Sequence, residues 1–287
     1  MAEIDLEQLK TWVGRSTQTG DTVTPRMVEE FRATFEPWLA PVADPGHAPL
    51  AMQWCLAPGM AGMSSLSPDG LPTGTGFVPA VDLPRRMWAG GAITSFGPLP
   101  VGVPVVRRST IADVALKTGR TGQLLFVSTD HDYLAGGELV IRDRQDAVYR
   151  EAASEAEAAA PPPAASAPEP ADTSWTIEPS AVLLFRYSAM TFNSHRIHYD
   201  RPYAMGAEGY GGLIVHGPLQ GSLAFNLAAV IGGRAPDRFA YRNLSPLTDD
   251  GPFQVKGRRE ADGSVAIWTE HASGRTCLRG VATWTSA

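Results

Sequence analysis

The chain has 287 residues, of which 44% are hydrophobic and 19% are charged, and its formal net charge is −6. This composition is typical of a soluble globular protein with one large domain, or two domains of roughly 140 residues. The negative charge and the absence of any Lys/Arg run exclude an extended basic surface for nucleic acid. No apolar stretch reaches the roughly 20 residues that cross a bilayer, so we expect no membrane insertion.

The N-terminus and the two cysteines indicate the cellular compartment. The first ten residues, M-A-E-I-D-L-E-Q-L-K, are acidic and amphipathic, unlike a signal peptide. Cys55 and Cys277 lie far apart without metal-site spacing, which predicts free, buried thiols in a reducing environment. We therefore expect a cytoplasmic protein. The sequence contains no dinucleotide or phosphate-loop motif, and we expect neither a cofactor nor a metal.

The N-terminal half is predicted to contain one helix followed by four strands. The helix begins near Thr24, a favourable N-cap followed by Pro25, and apolar residues keep helical spacing as far as Leu39. A Gly/Pro-rich stretch, residues 41–85, has no regular pattern. The expected strands cover residues 87–96, 103–114, 123–133 and 137–149.

A change of composition divides the chain. Residues 151–173 are rich in Ala, Pro and Glu and contain no aromatic or large aliphatic residue. Such a segment cannot contribute to a core and is predicted to be a semi-rigid linker. The expected domains are therefore residues 1–150 and residues 174–287.

The C-terminal half is predicted to repeat the order of a helix before strands. The expected elements are a strand over residues 181–187, a helix over residues 218–231 and strands over residues 251–259, 264–271 and 276–285. Within the helix, a leucine stripe from Leu219 to Ile231 predicts one buried face. A helix wrapped by a curved antiparallel sheet, occurring twice, is the best architecture, and the order of elements excludes an alternating βαβ fold. The fold class is α+β.

The most informative stretch is residues 191–200, T-F-N-S-H-R-I-H-Y-D. So many polar side chains at one turn would be costly to bury without a role. His198 is the expected proton-transfer residue, because imidazole titrates nearest to neutrality, and Asn193 precedes it by five positions. His195 and Asp200 are further candidates, either as acid/base groups or as partners that fix a histidine tautomer.

A second informative string, G-G-L-I-V-H-G-P-L, covers residues 211–219. The Gly217 N–H stands at the start of an apolar helix and is available to a developing oxyanion. Pro218 has no N–H and suits the first helical turn. His216 is expected to pack or cap near the helix start. A proton-transfer group followed by an oxyanion site indicates chemistry next to a carbonyl.

These strings resemble the double-hotdog, MaoC-like enoyl-thioester hydratases. The usual signature of that family is G-D-x-N-P-[LIV]-H, in which an Asp and a His five residues later hold the reacting water. Asn193 takes the Asp position here and His198 the His position, while His216 and Gly217 match a later H-G whose glycine N–H binds the thioester oxygen. The form N-x-H-R-I-H-Y-D is similar to one branch, which includes mesaconyl-C4-CoA and itaconyl-CoA hydratases and mitochondrial-type 3-hydroxyacyl-thioester dehydratases. In the N-terminal half, M-W-A-G-G extends the resemblance.

The resemblance implies a hydro-lyase that hydrates a short branched or dicarboxylic enoyl-CoA, giving a product such as citramalyl-CoA. His198 would act as the base, Asn193 would orient the water, and Gly217 would bind the oxyanion. The alternatives are a 3-hydroxyacyl-thioester dehydratase of fatty-acid type and a non-catalytic acyl-CoA-binding protein. A thioesterase is disfavoured, because hydrolysis usually requires a carboxylate where this turn has Asn193. The N-terminal half lacks the N-x-x-x-x-H turn and would be a degenerate hotdog that shapes the acyl pocket.

The resemblance also implies acyl-CoA as the partner, and several residues are candidates for binding it. A free substrate carboxylate would need a cation, for which Arg85, Arg86 and Arg196 are candidates. Tyr199, Tyr203 and His216 are expected to line the pocket. Because two hotdog sheets can pair within one chain, a monomer and a homodimer are both expected alternatives.

Overall fold

The structure is a computed structural model that describes residues 4–73, 77–78, 81, 83, 85–119, 122–151 and 165–285. Residues 152–164 of the predicted linker lie outside the described residues. The helices are α1 (Leu6–Lys10), α2 (Pro25–Phe35), α3 (Ala181–Met190), α4 (Arg201–Gly206) and α5 (Gly217–Gly232). Short 3₁₀ turns cover Met52–Cys55, Met63–Ser65 and Arg196–His198. The strands are β1 (Ser16–Thr22), β2 (Arg85–Ser95), β3 (Pro104–Gly119), β4 (Gly122–Ala135), β5 (Glu138–Arg150), β6 (Thr173–Ile177), β7 (Arg238–Asn243), β8 (Phe253–Arg259), β9 (Val265–Glu270) and β10 (Thr276–Thr283).

The strands of both halves form one antiparallel sheet. Within the described part of the chain the order is β1-β3-β4-β5-β2-β7-β10-β9-β8-β6. The first five strands belong to the N-terminal half and the last five to the C-terminal half. The halves join where β2 pairs with β7, from Gly90 opposite Arg242 to Thr94 opposite Arg238. The sheets of the two halves thus pair edge to edge within one chain, which was one of the expected alternatives.

Helix α5 is the central helix of the C-terminal hotdog. The predicted helix is confirmed, but the expectation of a single buried face is wrong, because every residue from Leu219 to Ala229 is buried. The polar side chains of Gln220 and Asn226 are buried within the structure and make hydrogen bonds. A helix surrounded on all sides loses the polar stripe that marks a surface helix.

Helix α2 begins as predicted, with the Met27 N–H donating to Thr24 Oγ1 at 3.2 Å. It ends at Phe35, short of the expected Leu39, because Pro37 cannot continue a helix. Its buried rings pack toward the C-terminal half, where Phe35 meets Tyr187 of α3 edge-on at 5.8 Å.

The predicted strand over residues 181–187 is wrong, because this segment is helix α3. Ser180 caps it by accepting the Leu183 N–H at 3.2 Å. Its buried residues, Leu183, Leu184, Tyr187 and Ser188, follow helical spacing. A short apolar run does not distinguish a buried strand from a helix, and tertiary packing decides it here. Strands β1, β6 and β7 were not predicted, and β1 is largely polar and exposed.

Candidate active site

The polar turn follows directly from the end of α3. The Asn193 N–H donates to Ser188 O at 2.9 Å, and the Asn193 side-chain carbonyl accepts the His195 N–H at 3.0 Å. This local turn leads into the 3₁₀ turn that carries His198. The carbonyl that we expected to orient a water is therefore already engaged with the backbone of its own turn.

His198 is buried in one defined tautomer. Its Nδ1 lies 2.7 Å from the carbonyl oxygen of Ile214. Because a carbonyl can only accept, Nδ1 carries the proton and Nε2 keeps its lone pair. Burial lowers the pKa of His198 to about 3, the Ile214 bond opposes this, and nearby His195 lowers it further. His198 is thus neutral near pH 7 and can accept a proton at Nε2.

The structure brings His198 next to the start of α5. The rings of His198 and His216 stack with their centroids 3.6 Å apart. His216 is the N-cap residue of α5 and directly precedes Gly217, so the two predicted parts of the site are adjacent. Its Nε2 lies 2.9 Å from Ser188 Oγ, whereas its buried Nδ1 has no partner among the described residues. Burial lowers the pKa of His216 well below its usual value, and His198 and His195 add to this.

Gly217 lies under the seam between the two halves. A Cβ at this position would stand 2.7 Å from Asn243 Nδ2 and 3.5 Å from the Cβ of Trp88. Asn243 ends β7 and donates through Nδ2 to the Trp88 carbonyl of β2 at 2.8 Å. The first N–H groups of a helix have no acceptor within the helix. Gly217 therefore packs against residues of both halves, and its N–H has no acceptor within α5. Neither Trp88 nor Asn243 was predicted.

Asp200 is engaged in holding the turn together. Arg196 donates to its Oδ2 through Nε at 3.0 Å and through Nη2 at 2.8 Å. The other Asp200 oxygen caps α4 by accepting the Tyr203 N–H at 3.1 Å. The hydrogen bond from Arg196 lowers the pKa of Asp200, which favours its charged form. Arg196 also lies over the Tyr203 ring, while half-exposed Tyr199 donates to Ser194 O at 3.0 Å.

A loop of the N-terminal half, residues 67–71, docks on the same turn. The Arg196 N–H donates to Asp69 O at 2.8 Å, and Ser194 Oγ donates to Gly70 O at 2.6 Å. Gly70 has φ +88°, and a Cβ there would lie 2.0 Å from Ser194 O. The loop places Asp69 Oδ2 at 3.9 Å from His195 Nε2. Sequence reasoning missed Asp69, and its one signal was the turn-forming string Pro-Asp-Gly.

The surroundings of His195 have opposing effects on its pKa. Burial lowers the pKa of His195 to about 4, Asp69 raises it, and Arg86 lowers it. The ring of His195 meets the ring of His198 edge-on, with centroids 5.5 Å apart. Three imidazoles that are all neutral near pH 7 therefore stand in a row at the start of α5.

Comparisons with known proteins identify the family of this chain. A family model described as hydroxyacyl-thioester dehydratase type 2 matches residues 51–249. The chain belongs to this family. The mesaconyl-C(4)-CoA hydratase of Chloroflexus aurantiacus is 41% identical over 268 residues, which cover 93% of this chain and 94% of that protein. A mitochondrial hydroxyacyl-thioester dehydratase type 2 of Schizosaccharomyces pombe is 34% identical over 88 residues, 29% of this chain and 28% of that protein.

Solved structures share the fold of this dehydratase-family chain. A MaoC-like dehydratase superposes with a TM-score of 0.71 at 16% identity, covering 96% of this chain and 100% of its own. A Mycobacterium tuberculosis protein described as having a double hotdog fold gives a TM-score of 0.56 at 14% identity, over 94% of this chain and 95% of its own. The α+β double hotdog is thus confirmed, and the family membership makes the chain an enzyme, a hydro-lyase.

The three candidate arginines of this family member have different surroundings. The Arg196 guanidinium is held by Asp200 and also donates to Pro68 O at 2.9 Å. Arg85 lies 3.5 Å from Glu208 and donates to the Tyr210 hydroxyl at 3.1 Å. Arg86 is exposed, and its guanidinium lies 5.8 Å from the Tyr149 ring centroid. Among the described residues, no carboxylate lies within ion-pair distance of Arg86.

Three further observations concern cysteines, membranes and metals. Cys55 and Cys277 are free and buried, as predicted. Over the residues that the structure describes, none of the helices combines the length and apolar character that crossing a membrane requires. The same residues contain no cluster of three or more His, Cys, Asp or Glu side chains placed to hold a metal ion.

Proposed function

We propose that the protein reversibly hydrates a short enoyl-CoA that carries a free carboxylate, of the mesaconyl-C4-CoA or itaconyl-CoA type, with citramalyl-CoA as the product. The observation that carries this proposal is the bare Nε2 of His198, whose ring stacks on the residue preceding Gly217. The identity to a named mesaconyl-C(4)-CoA hydratase over 93% of the chain supports the class of thioester.

The proposed mechanism uses two groups of the site, the Gly217 N–H and the Nε2 atom of His198. In a mesaconyl-C4 thioester, whose double bond is conjugated with the thioester, the thioester oxygen accepts the Gly217 N–H. This bond draws electrons from the double bond and makes Cβ electrophilic, and such a donor contributes about 3 kcal/mol to the transition state. A water oxygen forms a bond to Cβ while one of its protons passes to His198 Nε2. The enolate then collapses, and the proton held by His198 is delivered to Cα. Water is thereby added across the double bond, and dehydration runs through the same steps in reverse.

The position of the free carboxylate in the substrate indicates which of the three candidate arginines binds it. In a mesaconyl-C4 thioester the carboxylate and a methyl group are both on Cβ, the carbon that water attacks. The cation that neutralises this carboxylate should therefore lie near the histidines. The positive charge of Arg86 lowers the pKa of His195, and Arg86 has no ion-pair partner among the described residues. Arg85, in contrast, pairs with Glu208, and Arg196 pairs with Asp200. In this proposal the N-terminal half contributes Arg86 and Trp88 to a site whose reacting groups come from the C-terminal half.

The test compares thioesters that differ at Cβ. Purified protein is incubated with mesaconyl-C4-CoA, itaconyl-CoA, crotonyl-CoA and a long-chain enoyl-CoA, and hydration is followed by mass spectrometry. We expect the highest kcat/KM with a carboxylate-bearing substrate. Preferential turnover of the long chain would instead support a fatty-acid-type dehydratase. Binding without turnover of any thioester would refute the enzyme mechanism and support an acyl-CoA-binding protein.

Arg86→Gln sharpens the comparison. The variant should lose about 10- to 100-fold in kcat/KM for mesaconyl-C4-CoA, the range expected for a hydrogen bond between charged groups. Its kcat/KM for crotonyl-CoA, which lacks the carboxylate, should stay within about threefold of the wild-type value. Arg85→Gln is the matched control at the neighbouring position. Equal losses of kcat/KM on both substrates would show that Arg86 does not bind the substrate carboxylate.

A further inference from the structure

The reacting water requires two acceptors if it is to be oriented as well as deprotonated. A water molecule has two O–H groups, and His198 Nε2 can take only one of them. The Asn193 carbonyl already accepts the His195 N–H, which leaves it one lone pair. Both Asp200 oxygens are engaged, Oδ2 with Arg196 and Oδ1 with the Tyr203 N–H. Of the other imidazoles, His216 uses Nε2 toward Ser188, and its unpartnered Nδ1 is closed off from solvent by burial. His195, edge-on to His198 and with an Nδ1 that has no partner among the described residues, is therefore the strongest candidate for the second acceptor.

A carboxylate from the other half of the chain faces His195. Asp69 Oδ2 lies 3.9 Å from His195 Nε2, and only 18% of the Asp69 side chain and 12% of the His195 side chain are exposed. The Asp69 Oδ1 atom is fixed separately, because it accepts the Leu71 N–H at 2.9 Å and the Ser67 hydroxyl. This leaves Oδ2 for His195. The Nδ1 atom of His195 has no hydrogen-bond partner among the described residues.

The docking of the loop fixes this pair. Ser194 and Arg196, on either side of His195, both bond to the loop backbone, at Gly70 O and Asp69 O. A side chain at position 70 would collide with Ser194 O. The approach of the carboxylate to the imidazole is thus determined by a hydrogen bond on each side of His195, from the Ser194 hydroxyl and from the Arg196 N–H, which is how positioning groups are held in place.

We propose that Asp69 is a positioning residue that keeps the proton of His195 on Nε2, so that the bare Nδ1 of His195 accepts the second O–H of the reacting water. The inference rests on the proposed function and deepens it. The water donates one hydrogen bond to His198 Nε2, where its proton is transferred, and one to His195 Nδ1, where its proton stays. One lone pair of the water oxygen is then directed at Cβ. The N-terminal half, which lacks the histidine turn, supplies the carboxylate.

The first experiment measures kinetics with the thioester that the wild type hydrates fastest. Asp69→Asn keeps an oxygen for the Leu71 N–H but presents an amide donor to His195. We expect kcat to fall about 10- to 100-fold, as for other partners that orient a functional histidine, with KM within about twofold. His195→Gln should show a similar loss, and the double variant should be no slower than His195→Gln alone. Losses that multiply in the double variant, or a kcat of Asp69→Asn within about threefold of wild type, would overturn the proposal.

Ser194→Ala is the matched control. It removes the hydroxyl that docks the same loop at Gly70 O but leaves the Asp69 carboxylate in place. A kcat near the wild-type value in Ser194→Ala, beside the loss in Asp69→Asn, attributes the effect to the carboxylate. An equal loss in Ser194→Ala would show that loop docking alone matters and would overturn the assigned role.

A second readout does not depend on activity. Long-range ¹H–¹⁵N correlation spectra of the full-length protein report which nitrogen of each histidine carries the proton. We expect Nε2–H for His195 in the wild type and Nδ1–H in Asp69→Asn. An unchanged tautomer in the variant would overturn the proposal. If the wild type hydrates no thioester, the proposed function fails, and this spectrum still decides whether Asp69 sets the tautomer.

Discussion

Lowering the pH from about 7.5 to about 5.5 should destabilise the fold, because buried histidines resist protonation until the chain unfolds. Burial is the main cause that lowers the pKa of His131 to about 3, of His195 to about 4 and of His198 to about 3. In the unfolded chain a histidine has a pKa of about 6.5. The unfolded state therefore binds more protons over this interval, and stability falls as the pH falls.

The magnitude follows from the same values. Each of the three histidines should cost about 1.4 kcal/mol of unfolding free energy between about pH 7.5 and 5.5, or about 4 kcal/mol together. Asp143 acts in the opposite direction, because burial raises its pKa to about 6 and the folded state gains a proton as the pH falls. This offsets about 1 kcal/mol, so the net loss should be about 3 kcal/mol. The lowered pKa of His216 acts in the same direction as the other histidines.

Urea unfolding at the two pH values, followed by tryptophan fluorescence, measures this loss. His131→Gln, in β4 and away from the turn of residues 191–200, should reduce the pH-dependent loss by about 1 kcal/mol. An unfolding free energy that stays constant or rises at about pH 5.5 would refute the reasoning, because it would mean that these imidazoles are protonated in the folded protein.

Three further predictions concern activity and the docked loop. His198→Gln should lower kcat/KM for enoyl-CoA hydration by about 10²- to 10⁴-fold with an unchanged circular dichroism spectrum, and an effect below about tenfold would remove His198 as the base. Burial lowers the pKa of both His198 and His195, and the base works in its neutral form, so kcat/KM should stay constant from about pH 8 to about pH 5. A fall of kcat/KM on the acid side with a midpoint near pH 6.5 would contradict this. Gly70→Ala would place a Cβ 2.0 Å from Ser194 O, so it should lower the unfolding free energy by about 1–3 kcal/mol and should also lower kcat. Gly59→Ala is the control: a Cβ there would have no atom within 4 Å, and neither quantity should change.

Local sequence patterns predicted most strands, the start of α2 and the whole of α5. Thr24 followed by Pro25 determines a helix start by hydrogen bonding and by a fixed φ, so it can be recognised without knowledge of the fold. The run Ala181 to Met190 was different, because a short apolar segment fits either a strand or a helix. Packing of Tyr187 against Phe35 accompanies the helical choice, and that contact is between the two halves.

In the candidate site, too, some features could be predicted from local sequence and others depend on tertiary structure. The sequence by itself determined the polar turn with His198 and the glycine at the start of α5, because their chemistry depends on residue type and spacing along one segment. Only the tertiary structure decided that His198 stacks on His216, that Gly217 lies beneath Trp88 and Asn243, and that Asp69 faces His195. The contacts of Gly217 with Trp88 and of Asp69 with His195 join residues from both halves of the chain. Their positions follow from the pairing of β2 with β7 and from a loop whose backbone carbonyls accept hydrogen bonds from the turn, neither of which leaves a periodic signal in the sequence.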